Sequence, residues 1–484
     1  MSAIHELQPH ALWQHFAAIC DIPHPSFHED EIREHLIGFA KAHNLECQTD
    51  SAGNVIIRKP ATAGMENRVG VVLQGHMDMV PQKNSDTVHD FTTDPIKAYI
   101  DGDWVTAEGT TLGADNGMGM AAALAVLESK DLQHGPIEAL FTATEETGMI
   151  GAQGLEPNTL QGKILLNLDT EDEGELYIGC AGGTRVEVKG KYTTEEVDNG
   201  SVFKTLTISG LKGGHSGCDI HLGRGNAIKL LARIIQRLEA EGIRIASLTG
   251  GSLANAIPRE ASAVIGIPAT SLAACEKIVD LINSDITAEL AEVESNLSII
   301  MADAEPTSEL MSLPAQNNWI AAINACPNGA QRMSDSIEGV VETSLNIGVL
   351  NIREGQIFVH ILPRSLVGSC NDAINDSVAG LFKLLGAEVV FSDSYLGWKP
   401  NANSPILATM KQVYLDLFDK EAGVQVVHAG LECGLLGSKY PEWDMISFGP
   451  TIRFPHSPDE KVHIQSVARF WDLLVATLKV IPEA

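Results

Sequence analysis

The chain has 484 residues, 44% hydrophobic and 20% charged, enough apolar content for a large core and enough length to predict at least two domains. Lysine and arginine number 33 against 63 acidic residues, a formal charge of -30 with no basic cluster, which argues against nucleic acid and anionic membrane surfaces as partners. Eight cysteines, of which the closest pair, Cys20 and Cys47, is 27 residues apart, exclude CxxC zinc sites and a dense disulfide scaffold. Nearly all are expected to be small buried hydrophobes, so a metal would have to be held by histidine and carboxylate.

In chain order, residues 1–20 carry no basic leader followed by an apolar stretch, and no later run is long enough to span a bilayer. A cytoplasmic protein is expected. Residues 28–46 pattern as an amphipathic helix. GNVIIRK from about residue 53 and VGVVLQGHMDMV are strand-like, the second an almost unbroken apolar run suited to a strand covered on both faces. An alanine-rich helix over 113–130 follows, then the apolar strands IEALFTAT (137–144) and KILLNLDT (163–170), both ending in polar residues. This alternation predicts an α/β layer: a mixed or parallel sheet with helices on both faces, its site at the strands' carboxyl ends.

After about residue 186 the texture changes. TLTISGLKGG, a helix at 225–241 and SAVIGIP form one strand–helix–strand unit; SLNIGVLNI with QIFVHILPRS, a helix near 371–386 and AEVVFSDSY form another. The alternation of the first part resumes from about 400. Residues 1–186 and 400–484 are therefore expected to form one discontinuous domain, and 187–399 an inserted α+β domain of two similar units.

The candidate chemistry lies at the polar ends. His76 and Asp78 follow an apolar strand as H-x-D, Asp115 opens a helix, Glu145 and Glu146 follow the next strand, Asp169 ends another, and His456 comes from the C-terminal FPHSPDE. A lone histidine or Glu-Glu pair means little. Acids delivered repeatedly to one edge of a sheet would repel unless a cation held them. One imidazole per ion plus a shared carboxylate suits a pair of divalent cations of the zinc type. Asp78 can hydrogen-bond the far nitrogen of His76 and fix its tautomer. Consecutive side chains cannot point the same way, so one of Glu145 and Glu146 is expected to ligate while the other acts as general base. Ser216 in GGHSG lacks the spacing of a nucleophile elbow, and GTTLGADNGMG has no P-loop lysine.

GHMDMVP, GTTLGADNGMGMA, TATEETGMIGA, NLDTEDEG, GLKGGHSG and FPHSPDE together resemble the M20 metallopeptidases, and HAGLECGLL sharpens the resemblance to their dipeptidase branch. The resemblance spans nearly the whole chain. It implies two divalent ions per subunit, zinc with cobalt or manganese as substitutes, and a catalytic domain with a lid. Asp115 is then the bridge, His76 and Asp169 complete one site, Glu146 and His456 the other, Glu145 is the base and Asp78 the orienter. His215 in GGHSG matches the lid histidine that stabilises the oxyanion, and Asn255 and Arg364 match residues that hold the substrate carboxylate. The implied activity is hydrolysis of dipeptides with a free N-terminus, Xaa-His dipeptides such as carnosine included, by a homodimer. An N-acyl-amino-acid amidohydrolase of the same metal chemistry, or a non-catalytic metal-dependent binding protein, are the rivals.

Overall fold

A computed structural model describes residues 3–197 and 200–484. These fall into two compact units. One holds the described residues up to Cys180 together with Trp398–Val426 and Leu431–Ala484; the other holds Ala181–Gly397 and the short return Val427–Gly430.

The first unit is built on an eight-stranded mixed sheet among the described residues, in the order Glu46–Thr49, Val55–Lys59, Ile137–Thr142, Val71–His76, Ile164–Asn167, Asp444–Ser447, Glu175–Cys180, Gly423–Val427. Its four central strands, from Ile137–Thr142 to Asp444–Ser447, run parallel. Every residue of Ile137–Thr142, Val71–His76 and Ile164–Asn167 is buried. A strand buried throughout must be covered on both faces, which is why its sequence reads as a continuous apolar run. The helix Ala114–Glu128, rich in alanine, packs against Val71–His76 and against the helix His10–Cys20. The amphipathic helix expected over 28–46 occupies Asp30–Ala42.

A smaller sheet in the same unit pairs Ile452–Arg453, Lys461–His463, Trp104–Ala107 and Ala98–Asp101. Ile452 faces Val462 and Arg453 faces Lys461, so residues 454–460 form the loop of a hairpin.

The second unit carries a nine-stranded antiparallel sheet among the described residues. Val341–Arg353 and Gln356–Ser365 form its longest hairpin, flanked by Gly182–Lys191 on one side and Arg244–Gly250 on the other. The strands of both expected strand–helix–strand units join this one sheet. Ala227–Leu238, Leu272–Glu289, Leu313–Ala325 and Gly368–Lys383 are its main helices, and Leu231, Ile235, Ile265, Trp319, Ile361 and Phe382 lie in its core.

Five of the eight cysteines are buried, but Cys47 and Cys370 are half-buried and Cys218 is exposed, so "nearly all buried" overstates the case. No helix among the described residues is long and apolar enough to cross a membrane.

Candidate metal centre

The four parallel strands of the first unit end at His76, Thr142, Asn167 and Ser447. Chain leaving these ends brings Asp78, Glu145, Glu146 and Asp169 to one edge. Asp115 arrives from the N-terminus of the Ala114–Glu128 helix, where its own φ and ψ of -86° and 108° are non-helical. Its neighbour Asn116 ties the segments together, donating to the Leu168 carbonyl at 2.6 Å and lying so close to the strand that a Cβ on Gly75 would come within 2.2 Å of its Oδ1. Glycine beside His76 is therefore a packing requirement.

His76 is almost fully buried. Its Nδ1 lies 2.9 Å from the Asp78 carbonyl, which can only accept, so a neutral ring carries its proton there and turns the Nε2 lone pair to the site. Nε2 faces Asp115 Oδ1 at 3.1 Å, Asp169 Oδ1 at 3.3 Å and Glu145 Oε2 at 4.0 Å. His456 Nε2 faces Asp115 Oδ2 at 3.2 Å and Glu146 Oε1 at 2.9 Å. Asp115 thus presents one oxygen to each imidazole, with Asp169 beside the first and Glu146 beside the second. Ligand atoms of His76, Asp115 and Glu146 also lie within 4.8 Å of one another, a grouping that runs across both clusters.

These contacts are poor as hydrogen bonds and good as a ligand cage. One imidazole N–H cannot serve several carboxylate oxygens, and Glu146 Oε1 and Asp169 Oδ1 are buried without a hydrogen bond among the described residues. Tetrahedral coordination at the usual zinc–nitrogen distance separates neighbouring ligand atoms by about 3.3 Å, close to the spacings found. The residues present therefore fit divalent cations. Without them, electrostatics are strained: burial, opposed by His76 and reinforced by Asp169, Glu146 and Glu432, holds the Glu145 carboxyl well above the usual range. Burial likewise raises Asp169 to about 6, while the Asp115 and Glu146 carboxylates overcome burial and raise His456 to about 11.

Asp78 departs from the sequence expectation in detail. Its carboxylate Oδ1 is 3.4 Å from His76 Nδ1, farther than its own carbonyl. The carboxylate is turned instead onto the backbone N–H groups of Glu145 and Glu146, at 2.8 and 3.2 Å, and the Ser26 hydroxyl at 2.7 Å.

Sequence reasoning passed over a buried network at the same strand ends. Glu432 Oε2 accepts from Gln74 Nε2 at 2.5 Å and Thr142 Oγ1 at 2.6 Å, and Gln74 Oε1 accepts from Asn167 at 2.5 Å. Glu432 lies in HAGLECGLL, but nothing local to that motif points to the strands it meets. Burial raises its carboxyl to about 7.

In the second unit, His215 and Arg364 come together. His215 Nδ1 accepts the N–H groups of Cys218 and Gly217 at 3.0 and 3.3 Å, which leaves the proton of the neutral ring on Nε2. That nitrogen is 3.4 Å from the Arg364 guanidinium, so two donors converge on a place where an acceptor belongs. Burial and Arg364 lower His215 to about 4. Arg364 is 4% exposed, donates to the Tyr395 hydroxyl at 2.5 Å, and its Nε is buried without a hydrogen bond among the described residues. Ser344, directly across the hairpin from Arg364, meets His428 at 2.8 Å, a histidine delivered by the return Val427–Gly430 and absent from the sequence reading. Asn255 has an exposed side chain; its carbonyl accepts the Ser216 N–H at 2.8 Å, in the turn after His215.

The family described as Peptidase family M20/M25/M40 matches over residues 72–480. The cytosol non-specific dipeptidase of Escherichia coli (strain K12) is 50% identical over 483 residues, covering the whole of both chains. The crystal structure of aminoacylhistidine dipeptidase from Vibrio alginolyticus superposes with a TM-score of 0.93 at 49% identity, over 100% of this chain and 99% of that one. A tripeptidase structure from Staphylococcus aureus shares the fold alone, with a TM-score of 0.58 at 16% identity over 98% and 99% of the two chains.

Proposed function

The chain belongs to peptidase family M20/M25/M40, hydrolases of peptide bonds, and from that premise we propose that it is a two-metal dipeptidase of broad specificity. Its substrates are dipeptides with a free N-terminus, Xaa-His dipeptides such as carnosine among them, in keeping with the names of the Escherichia coli and Vibrio relatives. The observation that carries the reading is Asp115, whose two carboxylate oxygens face two different imidazoles at 3.1 and 3.2 Å.

His76, Asp115 and Asp169 would hold one divalent cation and His456, Asp115 and Glu146 the other, zinc first, with cobalt or manganese able to substitute. Bound there, the pair supplies Lewis acidity and an acidified water. Glu145 takes the proton of the attacking water and delivers it to the leaving amine, its backbone held by Asp78. The His215 Nε2–H donates to the developing oxyanion, and Arg364 and Asn255 bind the substrate carboxylate. A cytoplasmic location and a homodimer belong to the same proposal.

The test is a panel of free dipeptides, their N-acetylated forms and N-acyl amino acids, assayed before and after chelation and after adding Zn²⁺, Co²⁺ or Mn²⁺. Free dipeptides, Xaa-His included, should be cleaved, chelation should abolish cleavage, and metal should restore it. Preference for N-acyl amino acids would point to an amidohydrolase, and metal binding without turnover to a binding protein.

A further inference from the structure

Glu460 lies four residues beyond His456, at the base of the hairpin that carries it, and is 2% exposed. Its main chain is fixed there: its N–H donates to the Ser457 carbonyl at 3.0 Å, and its carbonyl accepts the Thr106 hydroxyl at 2.8 Å. Its side chain reaches a different segment. Oε2 accepts the backbone N–H groups of Leu112 and Gly113 at 2.7 and 3.0 Å, and Oε1 those of Ala114 and Asp115 at 2.8 and 3.3 Å.

Four N–H groups on one carboxylate is an unusual concentration, and it has a local reason. The helix that begins at Ala114 has Gly113 at its N-cap, a residue with no side chain to satisfy the first orphan N–H groups. Glu460 supplies that cap from 345 positions beyond Asp115. The capped turn is the one that carries Asp115 in its non-helical conformation, while the hairpin loop that presents His456 holds both Phe454 and His456 at positive φ, 56° and 59°. Two irregular backbones, each bearing a candidate ligand, are joined through one side chain. The positive-φ conformations of Phe454 and His456 persist only where surrounding bonds over-determine them.

We propose that Glu460 is a positioning residue that fixes Asp115 and His456 relative to one another, and so sets the affinity of the cation site they share with Glu146. The inference rests on the two-cation reading above. Asp115 serves both sites, but the other two ligands of the first, His76 and Asp169, follow strand ends of the large sheet, whereas His456 rides on the hairpin that Glu460 ties down, so the first site depends less on this clamp.

The experiment is Zn²⁺ binding to the metal-stripped full chain, measured by competition with a chromophoric chelator, for wild type and Glu460→Gln, with metal-free melting curves and kcat and KM alongside. Glutamine turns one acceptor oxygen into an NH₂ facing two N–H donors. Wild type should bind two Zn²⁺. Glu460→Gln should weaken the second Zn²⁺ at least tenfold, leave the first within threefold, and lower kcat with KM within threefold. Two unchanged dissociation constants would overturn the inference. So would equal weakening of both ions with a lowered metal-free melting temperature, since that is what a merely structural residue would do. Should Glu460→Gln not fold, Glu460→Asp, which keeps the charge on a shorter arm, is read by the same criteria. A wild-type chain binding fewer than two Zn²⁺ refutes the two-cation reading itself, and this inference with it.

Discussion

The Asp78 carboxylate accepts the backbone N–H of Glu145 at 2.8 Å, so a residue two positions from His76 in sequence governs the posture of the proposed general base. Its other oxygen accepts from Glu146 and Ser26. Asp78→Asn would set an NH₂ against one of these donors and is expected to lower kcat/KM by about 10–100-fold. Ser26→Ala, which leaves the carboxylate its backbone donors, should cost less than about fivefold. Steady-state kinetics on one dipeptide check both, and an Asp78→Asn enzyme within twofold of wild type would remove Asp78 from the mechanism.

Glu145 and Glu146 are adjacent yet face different atoms, Glu146 alone approaching His456. Glu145→Gln is expected to keep both metal ions and lose about 10²–10⁴ of kcat. Glu146→Gln should instead lose metal. Metal analysis of the two purified variants beside their turnover separates the roles.

His215 is neutral throughout the physiological range, since burial and Arg364 hold it near 4. His215→Ala should lower kcat by about 10²–10³, and no ionisation above pH 5 in the wild-type profile should disappear with it. Arg364→Lys, which loses the planar fork, should act on KM more than on kcat. A KM unmoved in Arg364→Lys would take the carboxylate away from Arg364.

Metal uptake should release protons. The Asp115 and Glu146 carboxylates overcome burial and hold His456 up at about 11, so its ring is protonated in the metal-free chain at neutral pH. Ligation needs the neutral ring, so loading at pH 7 is expected to release at least one proton, and affinity should fall as pH falls. Calorimetry in buffers of different ionisation enthalpy measures the number, and a buffer-independent heat would contradict it.

Glu432 gives a stability prediction with a defined sign. Its carboxyl rises to about 7 on folding from an ordinary value of 4.5. Below 4.5 the group is protonated in both states and costs nothing; between 4.5 and 7 the unfolded chain ionises first, and the cost is complete above 7. Metal-free Glu432→Gln should therefore melt higher than wild type at pH 8, by the equivalent of about 1–3 kcal/mol, and equal it near pH 4.5. A pH-independent difference would mean the effect is packing.

Much of the site was legible because its chemistry follows its architecture. VVLQGH, IEALFT and ILLN are apolar throughout, so their polar exits stand out, and the exits carry His76, Glu145, Glu146 and Asp169. His456 joined the candidates from the C-terminal FPHSPDE but carried no strand-end signal of its own, because it rides on a hairpin rather than a buried strand. Glu460 and Glu432 escaped for a different reason: their partners, Leu112 to Asp115 and Gln74 with Thr142, are hundreds of residues away, and a lone glutamate carries no local trace of a distant bond. The single sheet of the second unit was equally hidden, since pairing Gly182–Lys191 with Gln356–Ser365 and Glu388–Tyr395 is a matter of long-range register.

The strand Asp444–Ser447 lies between Ile164–Asn167 and Glu175–Cys180, two strands made more than 260 residues earlier. The large sheet thus cannot be completed before Asp444–Ser447 has been made. His456 follows that strand by nine positions, so the second proposed cation site cannot be completed before the strand itself has been made. A truncation that spares every strand up to residue 440 would leave two exposed strand edges, a sticky intermediate, and no way to build the second site.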